Sequence, residues 1–514
     1  MKARMKKLWE FLRKGTMWAF AALALLVGGC SFAPEYRQPR QEIPDSWCEP
    51  IPQEVMPTGG IAAPEVEYAL TRQWWKRFGD PTLDGLVAKA LARNKDIEQG
   101  LARVDSARAS LLAARGDLFP TLSAQGSGVR SRPSLDTSES RGLAQGLAAL
   151  ESRVSRLEGT PPPALPSMPR TGSMWSGAIQ AAWELDIWGR WRNTAKASRE
   201  ALLSAEETQK ALELSVAGQV CSAYFDLLNY DAQLELTTRT LALRQEYAAL
   251  YEKQYQGGAI SELDILNIRT QVDSLKDSLA QVRAQREQAE SALLMLTGAT
   301  PREIYAGRAQ RGLALAAMPA VPQLPEGLPS QLLARRPDIV AAEAALKAAH
   351  FRVGAARAAF FPSISLTGSL GTESTQLGDL FSGPAEMWSF GGAVNWPLLT
   401  FGRTLGSVRQ SEAAMRQSTA AYEKAVQQAF RDIRDALALQ RGTAEGAKSL
   451  ADAAQRMEKA AQLARLRYAE GYSPYLDVLE AERTLYSTQI QLANRRAAQL
   501  AAIAQVCVAL GGGW

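Results

Sequence analysis

The chain has one histidine, four cysteines and 7% aromatic residues among 514. A lone histidine cannot supply the several imidazoles of a zinc site, and His350 sits in an Ala-rich helical stretch where a packing or surface role is expected. No Gly-rich phosphate loop, metal-spaced Cys or His set, or nucleophile triad is present, so no enzymatic activity, cofactor or metal is expected. Cys48, Cys221 and Cys507 are odd in number and lack the spacing of a disulfide framework, and are expected as buried free thiols. Beyond the N-terminus no apolar run is long enough to cross a bilayer as a helix. Net charge is missing as well. Lys2, Arg4, Lys6, Lys7, Arg13 and Lys14 against Glu10 carry the whole formal +5, leaving 52 basic (58 less six) and 52 acidic residues (53 less one). That balance removes the electrostatic basis for a nucleic-acid partner.

What is present begins with those early charges, followed by "TMWAFAALALLVGG" and Cys30. A basic start, a short apolar run and small residues describe a secretory signal over residues 1–29, too short to span ~30 Å of hydrocarbon. "VGGC" resembles the lipobox of bacterial lipoproteins, with Val27 where Leu is more usual. The resemblance implies that Cys30 becomes the acylated, palmitate-bearing first residue of the mature chain. Ser31 in place of Asp implies the outer membrane. At ~0.8 kcal/mol per buried methylene, several acyl chains anchor a protein stably.

The remainder is written twice. "LVAKALARNKDIEQGLARVDSARASLLAARGDLFPTLSAQGSG" aligns without a gap on "LPSQLLARRPDIVAAEAALKAAHFRVGAARAAFFPSISLTGSL", pairing Ile97 with Ile339 and Pro120 with Pro362. "WSGAIQAAWELDIWGRWRN" aligns on "WSFGGAVNWPLLTFGRTLG", pairing Trp175 with Trp388. The expected organisation is an N-terminal anchored and equatorial segment over 30–85, repeat 1 over 86–300, a linker over 301–327, repeat 2 over 328–511 and a tail over 512–514. Each repeat opens with a helix of about 33 residues that stops at a Phe-Pro, because proline lacks a donor and restricts its predecessor. Two strands follow, at about 119–130 and 174–186 in repeat 1 and at about 361–371 and 388–398 in repeat 2. "SISLTGSL" alternates Ile364, Leu366 and Leu370 with hydroxyl residues, and Trp388 and Trp396 stand near the ends of its partner like an aromatic girdle. A very long helix comes next, at about 192–256 or 404–470, then a turn and a returning helix.

About 65 residues at 1.5 Å each reach roughly 100 Å, so such helices need neighbours along their whole length. Four membrane strands cannot close, and an open edge in hydrocarbon leaves backbone groups unsatisfied. The chain is therefore expected to share a barrel with copies of itself. Three copies give twelve strands, within the range of outer-membrane barrels. The fold class expected is mainly α with membrane β: two repeats, four barrel strands and long antiparallel helices per chain.

"WWKRFGDPTLDGLVAKAL", "RRPDI" with "FFPSISLTGSLG", the paired turns and the terminal "LGGGW" together resemble the TolC-like outer-membrane factors, most closely their lipidated NodT-type branch. The resemblance spans essentially the whole mature chain. It implies a homotrimer with one twelve-stranded β-barrel in outer-membrane lipid and an α-helical tunnel in the periplasm, serving small-molecule efflux. The implied partners are a periplasmic adaptor and a proton-driven inner-membrane pump of RND type. The turns "QGGAISELD" and "EGYSPYLD" become periplasmic helix tips: Gly257, Gly258 and Gly471 make the reversal, Ser261 and Ser473 stand where an N-cap is needed, and Asp264 adds favourable charge. Those residues are the expected adaptor-docking tips, although well-capped hairpins alone account for the Gly and Ser residues. Asp477 and Glu480, spaced i and i+3, share a helix face, and the resemblance places them with Leu476 and Tyr468 at the periplasmic gate. Glu at 480 departs from the Asp of some relatives. A solvated acidic face is the plainer reading of these carboxylates.

Two other functions stay open on sequence grounds: a conduit for type I protein secretion, and a lipid-anchored coiled-coil structural protein, which requires sustained heptads without membrane strands. Repeat 1 also carries an extracellular insertion over 131–172, since Pro120 to Trp175 is 29 residues longer than Pro362 to Trp388 (55 against 26). Its Leu143, Leu147, Leu150, Val154 and Leu157 are spaced as a heptad, which suits either a three-helix cap between copies or a helix against its own rim. Cysteines placed at Leu150 separate the two: crosslinks between neighbouring chains mark the cap, and their absence rules it out.

Overall fold

The computed structural model describes residues 31–39, 73–132, 171–318 and 335–512, with positions 134, 146, 149–150 and 152–157 of the insertion. The leader with Cys30, Cys48, and Leu143 and Leu147 of the heptad lie outside the described residues. Residues 152–157 are helical, with Leu150, Val154 and Leu157 exposed. In chain order the elements are a 3-10 turn Trp74–Phe78, α1 Pro81–Arg93, α2 Lys95–Gly116, β1 Thr121–Ser131, β2 Gly172–Leu185, α3 Arg190–Gln256, α4 Glu262–Leu296, α5 Pro301–Ala306, α6 Pro337–Ala358, β3 Ser363–Ser374, β4 Glu386–Asn395, α7 Arg403–Ala469 and α8 Tyr475–Ala509. None of the described helices is long and apolar enough to cross a membrane.

The chain forms two compact units. The first holds Leu112–Ala195 and Arg352–Gln410 and is built on one antiparallel sheet in the order β1-β2-β3-β4. Strand bounds follow proline. β1 and β3 begin just after Pro120 and Pro362, and β4 stops at Asn395, short of the expected 398, because Pro397 has no N–H for a ladder. Every residue of β1 is exposed, and Ile179, Leu370, Trp388, Phe390 and Val394 are exposed on the other strands. Hydroxyl pairs Ser127–Ser176 at 2.9 Å and Ser369–Ser389 at 2.8 Å bond across the strands. A sheet this open on both faces does not match a coiled-coil structural protein without strands.

Helix starts in this unit show why the halves differ in detail. The Asp186 carboxylate accepts from the backbone N–H of Trp191 and Arg192 and from Arg192 Nε at 3.0 Å, clamping the first turn of α3. Leu399 holds the matching position in repeat 2 and cannot do this. Residues following Cys30 are packed here: Phe32 stacks on Phe361 at 4.5 Å, and a Cβ on Gly354 would lie 2.7 Å from Ala33 backbone atoms.

The second unit holds Glu35–Leu111, Lys196–Phe351 and Ser411–Trp514. The opening helix of repeat 1, expected as one piece, is broken at Asn94. There the Asn94 side chain accepts from the N–H of Asp96 (2.8 Å) and Ile97 (3.3 Å) and donates to the Leu296 carbonyl (2.8 Å), so a cap and a tertiary bond outweigh helix continuity. In repeat 2 the equivalent Arg336 stands just before α6, and its guanidinium binds Asp338, Asp432 and the Ala509 carbonyl. In the linker α5 starts on a Thr300–Glu303 capping box.

Trp74, Trp75 and Phe78 pack with Val220, Phe225, Leu500 and Ile503 in the main core, and Asp80 accepts from Tyr224 at 2.5 Å beside them. Arg311 joins Asp231 and Glu290 in the same unit. His350 has a packing role, its ring edge-on to Tyr36 at 5.4 Å, and burial lowers its pKa. Cys221 and Cys507 are free thiols; burial raises both, Cys507 to about 12. Asn94→Ala strips two amides and one carbonyl of their partner, so it is expected to destabilise by about 1–2 kcal/mol, read as a lower midpoint of thermal unfolding by circular dichroism.

Candidate functional site at the helical tips

The two tips share one backbone solution. In the first, Gly258 (φ 74°) donates to Tyr255 O and Ala259 to Gln254 O; in the second, Gly471 (φ 79°) donates to Tyr468 O and Tyr472 to Arg467 O. Each is a Schellman cap, and the left-handed residue must be glycine to avoid Cβ strain. Beyond the turn the tips diverge. Ser261 caps α4 through a full capping box with Asp264, whose carboxylate accepts from Ser261 N and Oγ.

In the second tip the N-cap is Pro474, not Ser473 as expected. Counting from the glycines, Pro474 stands where Ser261 does, and a cap position needs no N–H, so proline fits there. The Ser473 hydroxyl is buried and makes no hydrogen bond among the described residues.

Leu476, Asp477 and Glu480 all lie exposed on the first turns of α8. Asp477 adds a negative charge at the positive end of the helix. Glu480 is not a bare carboxylate: Arg483 reaches it at 2.8 Å one turn on. Tyr468 does not join them. It is half-buried on α7, accepts from the Tyr251 hydroxyl at 2.6 Å, and packs against Tyr475 at 5.3 Å. Gly257, Gly258 and Gly471 are exposed at the turns, as are Ser261 and Asp264.

Beneath this surface lies a cluster that the sequence reading missed. Tyr251, Ile265, Ile268 and Leu479 are buried together with Tyr468 and Tyr475 against them, so both hairpins share one small core. Below it Glu482 binds two arginines, Arg244 on α3 at 2.9 Å and Arg465 on α7 at 2.7 Å. Arg244 and Glu482 are only 4% and 8% exposed at their side chains, so the buried Arg244 charge depends on Glu482 for compensation. Further along α3 and α8, Asn229 and Gln233 both donate to Asn494, and Thr237 bonds Tyr486 at 2.9 Å. The α3–α8 seam is thus polar between this tip core and the next. It becomes apolar farther on, where Gly218 has no room for a Cβ against Val508.

Burial raises the Tyr251 hydroxyl well above its ordinary value, and its bond to Tyr468 adds to this. Burial also pushes Tyr475 up to about 12. Burial alone would depress Arg465, but the Glu482 carboxylate outweighs it and holds the guanidinium above its usual range. The arrangement joins two helical hairpins through a small tyrosine-lined core and a buried ion pair, and leaves Leu476 and a partly compensated acidic face outside. Among the described residues no group of three or more His, Cys, Asp or Glu side chains could hold a metal ion.

The profile of the outer membrane efflux protein family matches residues 86–299 and 328–512. The probable efflux pump outer membrane protein TtgC of Pseudomonas putida is 32% identical over 506 residues, covering 96% of this chain and 95% of that protein. The cation efflux system protein CusC of Escherichia coli O6:H1 is 31% identical over 492 residues, covering 96% and 97%. The crystal structure of the Campylobacter jejuni CmeC outer membrane channel superposes with a TM-score of 0.83 at 24% identity, covering 94% of this chain and 95% of that one, a likeness of fold.

Two outcomes follow from the tip geometry. Glu482→Ala leaves a buried arginine unpaired, a loss of about 3–5 kcal/mol, and is expected to speed hydrogen exchange in both tips while the Trp74 core stays protected. Tyr475 titrates near 10 when unfolded and near 12 when folded. The folded state therefore holds its proton longer, and the stability that Tyr475 contributes is present below pH 10 and lost as pH rises toward 12. Tyr475→Phe should flatten that alkaline loss in a thermal melt series.

Proposed function

This chain belongs to the outer membrane efflux protein family, and on that premise we propose that three copies assemble one passive, gated conduit. The chain is the outer membrane component of an efflux pump, in a family of channels and transport proteins rather than enzymes. Four strands from each copy close a twelve-stranded barrel in the outer membrane, and the long helices form a tunnel into the periplasm. The observation that carries this reading is the sheet: β1 and β4 are edges, and both faces are open. In hydrocarbon such edges are tolerated only when closed, and neighbouring copies are the available closure.

Cys30 carries the covalent lipid, and Gly257, Gly258, Ser261, Asp264, Gly471 and Ser473 form the tip surface that a periplasmic adaptor meets. An inner-membrane pump of RND type supplies the energy. Asp477, Glu480 and Leu476 ring the periplasmic end of the tunnel. Because Arg483 compensates Glu480, Asp477 is the dominant negative charge of that ring. Tyr468 acts behind the ring by holding α7 to α3. The cargo is small molecules, such as drugs or toxic compounds; the relatives named for efflux favour this over protein secretion.

Planar-bilayer conductance of the mature protein tests the reading. Wild type should give small, cation-sensitive openings that widen or lose cation block in Asp477→Ala/Glu480→Ala. Openings unchanged by the substitutions would move the gate elsewhere, and no conductance from either protein would count against a conduit.

A further inference from the structure

The internal repeat gives each sheet junction a counterpart. Positions before β1 and β3 differ by 242 (Phe119 and Phe361), and positions from β2 and β4 onward by 213 (Trp175 and Trp388). Local geometry obeys this offset. Trp183 Nε1 donates to Leu118 O at 3.0 Å, and its counterpart Trp396 donates to Phe360 O at 3.3 Å. Phe119 N–H bonds Gly116 O at 3.0 Å as Phe361 N–H bonds Ala358 O at 3.1 Å. Gly189 and Gly402 both take positive φ, 74° and 88°.

One contact closes the junction between β2 and β3. The Trp188 ring, just after β2, stacks on Phe361 at 4.8 Å, and Trp188 Nε1 donates to Pro362 O at 2.8 Å. The counterparts of Trp188 and Phe361 are Phe401, after β4, and Phe119, before β1. These cannot meet as the inner pair does, because β4 and β1 are opposite edges of the sheet. Phe401 is 91% exposed and Phe119 67% exposed, whereas Trp188 and Phe361 are half-buried. Phe401 is also the one non-glycine among the described residues with positive φ, 46°. Such a backbone persists where surroundings enforce it, and none of the described residues covers this ring.

We propose that Phe401 stacks on Phe119 of the partner subunit, where β4 of one copy pairs with β1 of the next. The occupant of this exposed aromatic surface is a second copy of the same chain, and the contact repeats between subunits what Trp188 and Phe361 do within one. The inference rests on the trimer proposed above and adds a register to it. Trp183 faces Leu366 across β2 and β3, so Trp396 faces Ala124 of the partner subunit. Phenylalanine has no indole N–H, so the bond from Trp188 to Pro362 has no equivalent there. Ring stacking and the strand ladder hold the junction between copies.

Phe401→Cys/Phe119→Cys in the full mature protein, oxidised in outer membranes, is expected to give covalent dimers and trimers on a non-reducing denaturing gel. Either single variant should stay monomeric on that gel. Light scattering of the reduced double variant in detergent separates the two levels of the claim. A three-copy mass without crosslinks overturns the aromatic contact and leaves the trimer, while a one-copy mass overturns both. As a second reading, Phe401→Ala should lower the temperature at which trimers dissociate by several degrees, and Phe381→Ala, at an exposed position between β3 and β4, should not. A Phe401→Ala trimer that dissociates at the wild-type temperature contradicts the proposal.

Discussion

Everything in this protein depends on backbone groups that need partners. The sheet leaves one row of N–H and C=O groups open along β1 and another along β4. In water such edges invite aggregation; in hydrocarbon each unpaired group costs several kcal/mol. On the assembly proposed above, a chain with four strands meets this need by joining copies of itself. The open faces, the hydroxyl pairs inside the sheet and the exposed aromatics near its ends are consistent with a wall that has lipid on one side and water on the other.

A second constraint comes from helix length. α3 and α7 are 67 residues each, roughly 100 Å at 1.5 Å per residue, and neither is stable without lateral contact. The α3–α8 seam shows how that contact is graded. Apolar side chains fill it beside the Trp74 core, amides, hydroxyls and one buried ion pair replace them along its middle, and a small tyrosine-lined core closes it at the tips. Hydrogen bonds can be exchanged for water at modest net cost, whereas opening a packed core exposes apolar area. The polar middle of the seam is thus the part best suited to rearrange, and the tips beyond it are held by a small core of their own.

Much of this was legible in the sequence because the repeat is written in Pro, Gly and Trp. Pro120 and Pro362 mark strand starts, Gly258 and Gly471 mark the reversals, and Trp183 and Trp396 mark matched junctions. What was not legible came from contacts between distant segments. Asn94 breaks a helix because Leu296 offers a carbonyl, which no local pattern reveals. Ser473 looks like a cap by residue type, but the register set by the glycines gives that place to Pro474. Tyr468 bonds Tyr251, 217 positions away, a contact that no local pattern reveals. The Arg244–Glu482–Arg465 group was hidden for the same reason, although tyrosines crowding both turns were a visible sign of a small tip core.

The most direct test of the central claim is a cryo-electron microscopy map of the mature protein in lipid nanodiscs. Closure by neighbouring copies predicts three chains around one axis, with β4 of each hydrogen-bonded to β1 of the next in a continuous twelve-stranded barrel. A map in which β1 and β4 have no strand partner, or in which each sheet stands alone, would contradict it.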